Sequence, residues 1–522
     1  MAICLYGSHA GGYAGVDSDF DVVLVLDNYS EGAGFQTRGI GQVDAAILVV
    51  DRDLFELDMK KGHLGEFICA RLLGPYVALE NPSFLKEMEI HAKRRIVQEE
   101  LNDLVIEFQK MSHGLMIDPT YFALSRLRKR ARHYPSLLYS YTNMLREDLR
   151  HQNLRLILEG YRAALQDFRE ADLIRFESDM VMLQARSIDK ILTRSSFERA
   201  VNVAETSQRV FRSYLAYGRS RIGGIELILD ELGALLRRGP QFDLHEKPED
   251  PRNHLFLQTS TGMVNLNEQS SIIDVARRLR PGARVVVTPL ASVLNDVYLV
   301  SMGQEQLVAK RYTDWVNLKW FTVNLVTLGT KKFSVMGKSR LANEYGMNRV
   351  LSAEDVPVPE IVHVSIPHRI LMERYIEGEN VGNIVKAASS SDQLTAREYE
   401  TAIAVGKALA KIHSVDITMG DSKPENFLSC SDGRVYSLDL EQAAKKGDKA
   451  WDVSEFLFYS GHYSPLMTQG LSQFVDGFIQ GYSEAGEQNI LRRAAGLNYL
   501  KVFSIWTAPP VIYRIADRLR KV

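Results

Sequence analysis

The stretches MGDSKPENFL (residues 419–428) and YSLDLEQA (436–443) contain Asp421, Asn426 and Asp439. Asp421 is followed five residues later by Asn426, and Asp439 comes 13 residues after Asn426, behind a short apolar run. In phosphoryl transfer an aspartate orients the acceptor hydroxyl, while an asparagine and a second aspartate hold Mg²⁺. The spacing therefore predicts a phosphoryl-transfer site, with Asp421 as the catalytic carboxylate and Asn426 and Asp439 as metal ligands.

Three residues upstream extend this prediction. LVAKRY (307–312) places Lys310 on a strand after a hairpin, with the turn at Gly303, and RLANEYGMNRVL (340–351) is helical and offers Glu344. A lysine in such a site pairs with the α- and β-phosphates of ATP and is held by a glutamate. HRILMERYIEG (368–378) is predicted to be a strand leading into a hinge, and it adds Glu373 to the nucleotide-binding set.

From about residue 285 to the end, the chain resembles the protein-kinase-like superfamily. It departs from that pattern in several places. TPLASVLNDVY (288–298) replaces the glycine-rich loop, Met419 stands where the family usually has histidine, and Leu440-Glu441 replace Phe-Gly. Only 13 residues separate Asp439 from Asp452, so there is no room for the long activation segment on which ordinary protein kinases dock peptides.

Two kinase branches lack that segment, and the sequence leaves both open. GDKAWDVSEFLFYS (447–460) is similar to the RIO-like atypical kinases, including the small kinase of the KEOPS complex, which implies an RNA or protein partner. The aminoglycoside and choline phosphotransferases have a comparable order of acidic residues, which implies a small-molecule acceptor. The short C-terminal lobe favours the first branch.

A second pair of carboxylates lies near the start of the chain, in LYGSHAGGYAGVDSDFDVVLVL (5–26). Asp19 and Asp21 are two residues apart on a predicted strand, so their side chains share one face. Asp44, in QVDAAIL (42–48), begins another apolar run, from which a neighbouring strand could supply a third carboxylate. Three converging carboxylates suit Mg²⁺, or Mn²⁺ in its place.

Gly7 and Ser8 end the first strand, where a small residue lets backbone N–H groups and a hydroxyl approach a phosphate. Over about 80 residues this constellation resembles the minimal polymerase-β-like nucleotidyltransferases. The resemblance implies an NTP substrate, with Asp19, Asp21 and Asp44 as catalytic metal ligands. The chain lacks the helix that usually precedes the first strand, and Gly11 stands where the family often has arginine.

The helical middle of the chain carries a basic, aromatic-rich stretch, residues 121–146. Basic side chains interleaved with aromatic ones can hold phosphates and stack bases, so Arg128, Lys129 and Arg132 are candidates for contacting tRNA or a protein partner. The alternative is a charged helix face, solvated or paired with nearby acids. Arg128 and His133 also have the R-x4-H spacing of the HEPN ribonuclease motif. The full set comprises Arg126, Arg128, Lys129, Arg130, Arg132 and His133 among Tyr121, Tyr134, Tyr139 and Tyr141.

Composition limits the other possibilities. The formal charge is -2, so any nucleic-acid contact must come from a local patch. The three cysteines, Cys4, Cys69 and Cys430, are too far apart in sequence to suggest a disulfide framework or a zinc site. No apolar run approaches the ~20 residues of a membrane helix, and the first strand begins too early for a signal peptide, so we expect a cytoplasmic protein without membrane contact.

We therefore expect an α+β multidomain protein with 522 residues in five segments. These are a mixed-sheet nucleotidyltransferase core (1–85), a helical substrate-binding domain (86–240), a linker (241–280) and the N-lobe (281–376) and C-lobe (377–522) of a two-lobed kinase-like domain. Neither motif set needs the other to complete a metal site, so we interpret the chain as a bifunctional enzyme. The alternatives are a small-molecule kinase coupled to nucleotidyl transfer, and a nucleotide-binding regulatory switch.

Overall fold

The computed structural model describes residues 1–40, 43–133, 137–193, 249–290, 295–314 and 336–522. The fold is mixed α and β, with several separate sheets. It divides into two compact units: the first comprises Met1–Gln109 and Leu115–Phe256, and the second comprises Lys110–Gly114 and Leu257–Val522. None of the helices in the described ranges is long and apolar enough to cross a membrane.

The first unit begins with a five-stranded sheet in the order β3-β4-β2-β1-β5, in which β2 and β4 run parallel and the other pairs are antiparallel. Its core includes Val23, Val25 and Val50, which face the same side through the period-two alternation of the strands. The strands are β1 (Ala2–Tyr6), β2 (Phe20–Leu26), β3 (Ala33–Ile40), β4 (Val43–Asp51) and β5 (Val77–Glu80), and the early helices are α1 (Gly7–Ala10) and α2 (Arg52–Lys61).

The rest of the first unit is mainly helical. The long helix α3 begins at Pro82, where Asn81 caps its first turn and proline needs no hydrogen-bond acceptor, and it packs against α6. The other elements are β6 (Leu115–Ile117), α4 (Thr120–His133), α5 (Leu137–Met144), α6 (Glu147–Glu170), β7 (Ile174–Glu177), β8 (Met180–Leu183) and α7 (Ala185–Leu192), after α3 (Pro82–Phe108). The predicted domain boundary at 85/86 therefore falls inside α3. The change in residue pattern near residue 82 marks the start of this helix, and both sides of it belong to the same compact unit.

The second unit opens with a hairpin, a helix and an antiparallel sheet in the order β11-β12-β13-β15-β14. The turn between β12 and β13 lies at Gly303, which has a φ of 67°, as the sequence predicts. Strand β9 (Leu255–Thr259) begins two residues before this part of the second unit does. The elements that follow are β10 (Gly262–Asn265), α8 (Ile272–Leu279), β11 (Val285–Leu290), β12 (Asp296–Met302), β13 (Glu305–Arg311), α9 (Gly337–Ala353), β14 (Ile361–Ser365) and β15 (Ile370–Arg374).

The predicted linker, 241–280, is corrected in its second half. Residues 241–248 lie outside the described ranges, but β9, β10 and α8 occupy most of 255–279. The prolines and charged residues that suggested a linker all lie before His254. The folded segment 255–279 does not share this composition. A capping box at Ser271 and Asp274 starts α8.

The C-terminal part of the second unit is a helical lobe with a large apolar core, which includes Phe427, Phe456 and Phe478. Short strands β16 (Glu379–Asn380), β18 (Phe427–Ser429) and β19 (Val435–Ser437) form one small sheet, and β17 (Ile417–Thr418) and β20 (Ala444–Lys445) form another. The helices are α10 (Val381–Ala388), α11 (Ala396–Ser414), α12 (Lys449–Ser460), α13 (Gln469–Ala485), α14 (Gln488–Ala494), α15 (Leu497–Phe503) and α16 (Pro509–Arg520).

Candidate active site

Lys310 lies on β13 and points into a pocket of acidic and carbonyl oxygens in the second unit. Its Nζ atom is 3.1 Å from Glu344 Oε1 on α9 and 3.0 Å from Glu373 Oε2 on β15, and it donates a hydrogen bond of 2.6 Å to the Leu438 carbonyl. The Lys310 side chain is 14% exposed, whereas those of Glu344 and Glu373 are 1% and 3% exposed. The structure thus brings together three residues that the sequence assigned to nucleotide binding.

Burial and charge act in opposite directions on this cluster. Burial alone would lower the pKa of Lys310, but the carboxylates of Glu344, Glu373 and Asp439 reverse the effect and raise it. Burial raises the pKa of Glu344 and of Glu373, and the nearby Asp439 carboxylate adds to this. The lysine therefore stays charged.

One face of α9 holds the segment that follows β19. Glu344 Oε2 accepts a hydrogen bond of 2.7 Å from the Leu440 amide. Asn343 Nδ2 donates to the carbonyls of Leu440 at 3.2 Å, Glu441 at 2.8 Å and Ala443 at 2.8 Å. Adjacent residues on one helix therefore position the segment that carries Asp439.

A buried ion pair adds a further contact between α9 and the same segment. Arg340 Nη1 lies 3.0 Å from Glu441 Oε2, and these side chains are 0% and 3% exposed. Asn295 bridges the pair, accepting from Arg340 at 2.8 Å and donating to Glu441 at 2.9 Å. Since the Glu441 amide also donates to Asp439 Oδ1 at 3.1 Å, the pair acts on the predicted metal ligand through its neighbour.

The loop with Asp421 and Asn426 lies next to this segment. Asn426 Nδ2 donates a hydrogen bond of 2.8 Å to the Asp421 carbonyl, and the Leu438 amide donates one of 2.9 Å to the Asn426 carbonyl. Lys423 Nζ is 2.9 Å from Asp421 Oδ1. These backbone links set Asp421, Asn426 and Asp439 in one connected region of the fold.

Helix α12 shapes the same loop through a buried acid that the sequence analysis did not single out. Asp452 is fully buried and accepts hydrogen bonds from the amides of Met419 at 2.7 Å and Gly420 at 2.8 Å. His413 Nε2 lies 3.1 Å from Asp452 Oδ2, and Tyr482 OH lies 2.6 Å from His413 Nδ1. Met419 itself is fully buried, so an apolar side chain fills the position at which the kinase pattern has histidine.

A second acid of α12 also contacts the loop. Glu455 Oε2 accepts hydrogen bonds from the Ser422 amide at 2.8 Å and from Trp451 Nε1 at 3.2 Å. The signal for both acids is present in the sequence, because Asp452 and Glu455 interrupt an otherwise apolar helix at i,i+3 spacing. Buried acids in such a helix need polar partners, and here the partners are the loop amides.

The donor set of this region fits Mg²⁺. Asn426 uses its amide nitrogen on the Asp421 carbonyl, so its Oδ1 atom is the acceptor end, and Asp439 adds a carboxylate. Amide and carboxylate oxygens are hard ligands of the kind that Mg²⁺ takes when it also binds substrate phosphates. Within the stretch 288–298, which stands in place of the glycine-rich loop, residues 291–294 lie outside the described ranges.

The N-terminal carboxylates lie at one edge of the first unit's sheet. The parallel register pairs Phe20 with Ala45, so Asp19 and Asp44 each precede the paired residues at the same end of β2 and β4. The strand β2 starts one residue after Asp19, so the prediction that Asp19 and Asp21 share one strand face is wrong: Asp19 lies in the preceding loop and only Asp21 is on the strand. Asp19 and Asp44 are exposed and Asp21 is half-buried, and within the described ranges no three His, Cys, Asp or Glu side chains are grouped closely enough to hold a metal ion.

Gly7 and Ser8 begin α1 directly after β1, next to Asp21. Gly7 has a φ of 77°, and a Cβ atom there would lie 2.1 Å from Asp21 Oδ2. The positive φ favours glycine at this position, and any side chain there would displace the Asp21 carboxylate. His9 stacks on Phe20 at 4.2 Å and its Nε2 lies 2.9 Å from the Ser18 carbonyl, which fixes the loop before β2.

The basic helix α4 is paired with acids of its own unit. For the described side chains, this favours the alternative interpretation, in which the charged face of the helix pairs with nearby acids. Binding of tRNA or a protein partner stays a prediction. The side chains of Arg132 and of His133, the second residue of the Arg128–His133 HEPN spacing, lie outside the described ones. The pairs are Arg126 with Glu66 and with Glu99 at 3.1 Å, Arg128 with Asp250 at 2.7 Å, Lys129 with Glu100 at 2.8 Å and Asp103 at 2.7 Å, and Arg130 with Glu66 at 3.3 Å.

Comparison with solved structures finds weak likenesses, of which two are described. No family model matches this chain, and no curated protein matches it. A structure of the Rv3197–erythromycin complex from Mycobacterium tuberculosis is 17% identical, with a TM-score of 0.23, over 33% of this chain and 51% of the other. The chain thus spans about half the length of that protein. The PknI kinase domain from Mycobacterium tuberculosis is 15% identical, with a TM-score of 0.23, over 46% of this chain and 96% of that domain.

Proposed function

We propose that the second unit is an ATP-dependent, Mg²⁺-dependent phosphotransferase or ATPase with a kinase-like two-lobed fold. The observation that carries this proposal is the buried Lys310–Glu344 ion pair of 3.1 Å, with Lys310 also bonded to the Leu438 carbonyl beside Asp439. A buried lysine fixed between a helix and the metal-binding segment is suited to receive the phosphates of a nucleotide.

Each residue has a role in the proposed reaction. Lys310 binds the α- and β-phosphates, and Glu344 and Glu373 orient its ammonium group. Asp421 orients the acceptor hydroxyl and accepts its proton as the γ-phosphoryl group transfers. Asn426 and Asp439 would hold Mg²⁺, which when bound neutralises charge on the phosphate oxygens.

The proposed acceptor is an RNA or a protein partner, as in the RIO-like branch. The similarity of GDKAWDVSEFLFYS (447–460) to the RIO-like kinases and the short C-terminal lobe support this. The alternative is a small-molecule acceptor, as in the aminoglycoside and choline phosphotransferases.

We further propose that the first unit carries nucleotidyl transfer, with Asp19, Asp21 and Asp44 as Mg²⁺ ligands and Gly7 and Ser8 at the NTP phosphates. The shared edge of Asp19 and Asp44 and the close fit of Gly7 against Asp21 support this. Two metal ions there would activate the attacking hydroxyl and stabilise the leaving pyrophosphate.

The test is incubation of the full chain with α-labelled and γ-labelled ATP, with and without total tRNA, followed by tracing each label. Asp421→Ala should abolish γ-phosphate transfer and retain α-phosphate transfer, and Asp21→Asn should do the reverse. The exposed residues Asp432 and Asp17 supply matched controls, Asp432→Ala and Asp17→Asn. Loss of both activities in folded Asp421→Ala would contradict two separate sites, and label on a small molecule alone would favour the alternative acceptor.

A further inference from the structure

A cleft in the first unit lies among α2, α3, α6 and α7, and no residue assigned to either proposed reaction lines it. It has two parts, with volumes of about 350 Å³ and about 330 Å³. Both parts are lined by Gln98, Phe168 and Leu173, so they are neighbouring regions of one cleft. Each is in the size range of small-ligand sites.

The first part of the cleft is cationic. Lys60, His91, Arg94 and Arg95 line it, against one acid, Asp167. The charge of Arg95 is compensated by neighbouring carboxylates, and its Nη1 atom lies 2.6 Å from Glu66 Oε1. Arg94 pairs with Asp167 at 3.4 Å, but both side chains are about half exposed, at 53% and 40%, so this ion pair is weak and exchangeable. Lys60 pairs with Glu56 at 2.7 Å, with side chains 43% and 31% exposed. The ion pairs of Lys60 and Arg94 are thus both exposed and exchangeable, so either cation can turn to an anion in the cleft.

The second part is mostly apolar, and it contains a buried hydroxyl. Ser187 is 8% exposed, and its Oγ atom has no hydrogen-bond partner in the described part of the chain. A buried polar group without a partner costs free energy that a ligand acceptor can recover. Lys190 also lines this part, and the apolar wall comprises Leu101, Phe168, Leu173, Leu183 and Ile191.

We propose that this cleft binds a small organic anion with an apolar body. The charged group lies beside Arg94 and Lys60, where it makes charge-assisted hydrogen bonds, and the body lies against Phe168 and Leu173 near the Ser187 hydroxyl. A phosphate or carboxylate on its own would leave the apolar wall exposed to water, so the body contributes to binding through burial. This site is independent of both proposed reactions.

The test is calorimetric titration of the full chain with octyl phosphate and with octanoate, with inorganic phosphate as the headgroup alone. We expect saturable one-site binding of at least one octyl compound, and the stronger one identifies a phosphate or a carboxylate head. Arg94→Glu should weaken this binding by about tenfold or more, since one such charged contact is worth on the order of 1.5–3 kcal/mol. Ser187→Ala should weaken it by a smaller factor without lowering the melting temperature.

The matched control is Arg162→Glu, because Arg162 is an exposed arginine of α6 that does not line the cleft. It should bind like the wild type. If Arg94→Glu fails to fold, Lys190→Glu takes its place in the test and should also weaken binding. The proposal is overturned if neither octyl compound binds saturably, if the Arg94 and Arg162 variants bind equally, or if inorganic phosphate binds as tightly as octyl phosphate.

Discussion

Lys310 keeps its charge in a nearly dry environment because acids from a strand and a helix converge on it. Its ammonium group is within 3.1 Å of both Glu344 and Glu373, and each carboxylate is almost completely buried. An isolated buried carboxylate is costly, so each partner depends on the lysine for compensation. The same residue therefore contributes both to the fold and to the proposed reaction.

Lys310→Met should separate those two contributions. It leaves two buried carboxylates without a cation, so we expect a loss of about 3–5 kcal/mol in the free energy of unfolding and a fall of about 10²-fold or more in phosphoryl transfer. Adding Glu344→Gln should recover part of the stability and none of the activity. Denaturant unfolding measures the stability and label transfer measures the activity. The control is Lys386→Met, on the exposed face of α10. Full recovery of activity in the double variant would contradict the role of Lys310.

His363 makes a pH-dependent contribution to stability, and its strand pairs it with Met372, the neighbour of Glu373. It lies on β14, is 3% exposed, and burial lowers its pKa to about 4 from 6.5. A depressed pKa means that the unfolded chain takes up the proton first, so this contribution to stability is present above about pH 6.5 and is lost as the pH falls toward 4. The group therefore favours the folded state at neutral pH relative to acid pH.

His363→Leu should remove this pH dependence. Between pH 7 and pH 5 the wild type should lose about 1–2 kcal/mol more stability than the variant. Denaturant unfolding at several pH values measures the difference, and His368→Leu, at an exposed position on the next turn, is the control. Parallel stability curves for the wild type and His363→Leu would contradict the assignment.

At the scale of elements, α11 and α13 approach each other through glycines. A Cβ atom on Gly406 would lie 2.3 Å from the Phe478 carbonyl oxygen, and one on Gly481 would lie 2.0 Å from the Ile403 carbonyl oxygen. Both obstacles are backbone atoms, which cannot turn away as a flexible side chain can. This helix pair therefore requires glycine on both sides, and it forms part of the platform beneath the Asp421 loop.

Gly406→Ala should lower stability by about 1–3 kcal/mol, although alanine is the better helix former, because the methyl group forces the helices apart. The comparison is Gly15→Ala, where the nearest atom to the added methyl would be 3.7 Å away and little change is expected. Differential scanning calorimetry measures both variants. A stabilised Gly406→Ala protein would show that intrinsic helix propensity outweighs this close contact.

At the scale of the whole molecule, the second unit includes a short piece of chain from between two parts of the first. Lys110 Nζ donates to the Ala443 carbonyl at 2.9 Å, and Tyr345 OH donates to the Gly114 carbonyl at 3.3 Å. Gly346 on α9 packs so closely that a Cβ atom there would lie 2.4 Å from the Lys110 carbonyl oxygen. Lys110–Gly114 is therefore part of the support behind Glu344.

Gly346→Ala should push this segment away from α9, with a loss of about 1–3 kcal/mol. Hydrogen exchange by mass spectrometry should rise in 110–114 and in α9 and stay unchanged in the β1–β5 sheet. Lys338→Ala, at an exposed position of α9, is the control. Faster exchange throughout the first unit would contradict the division of the chain.

Local patterns predicted that Lys310 and Glu344 lie close together. The motif places its lysine on a strand, its glutamate on a helix and its aspartates in two loops, and each of these elements could be recognised in the sequence. They did not identify the partners of Arg340, Asp452 or Lys129, since a single sequence shows that a charge is present in a helix but not which distant group meets it. Arg340 finds Glu441 across about a hundred residues, and Lys129 finds Glu100 on a neighbouring helix. The inclusion of Lys110–Gly114 in the second unit has no local sequence signal at all.

That five-residue inclusion also bears on how such a gene could be assembled or divided. Joining two reading frames end to end gives units that are each continuous in the chain, and a single cut separates them again. Here a cut after Phe256 removes Lys110–Gly114 from the second unit, and with it the hydrogen bond to Ala443. The coding sequences of the two units are therefore interleaved, and recombination at their nominal junction yields an incomplete second unit.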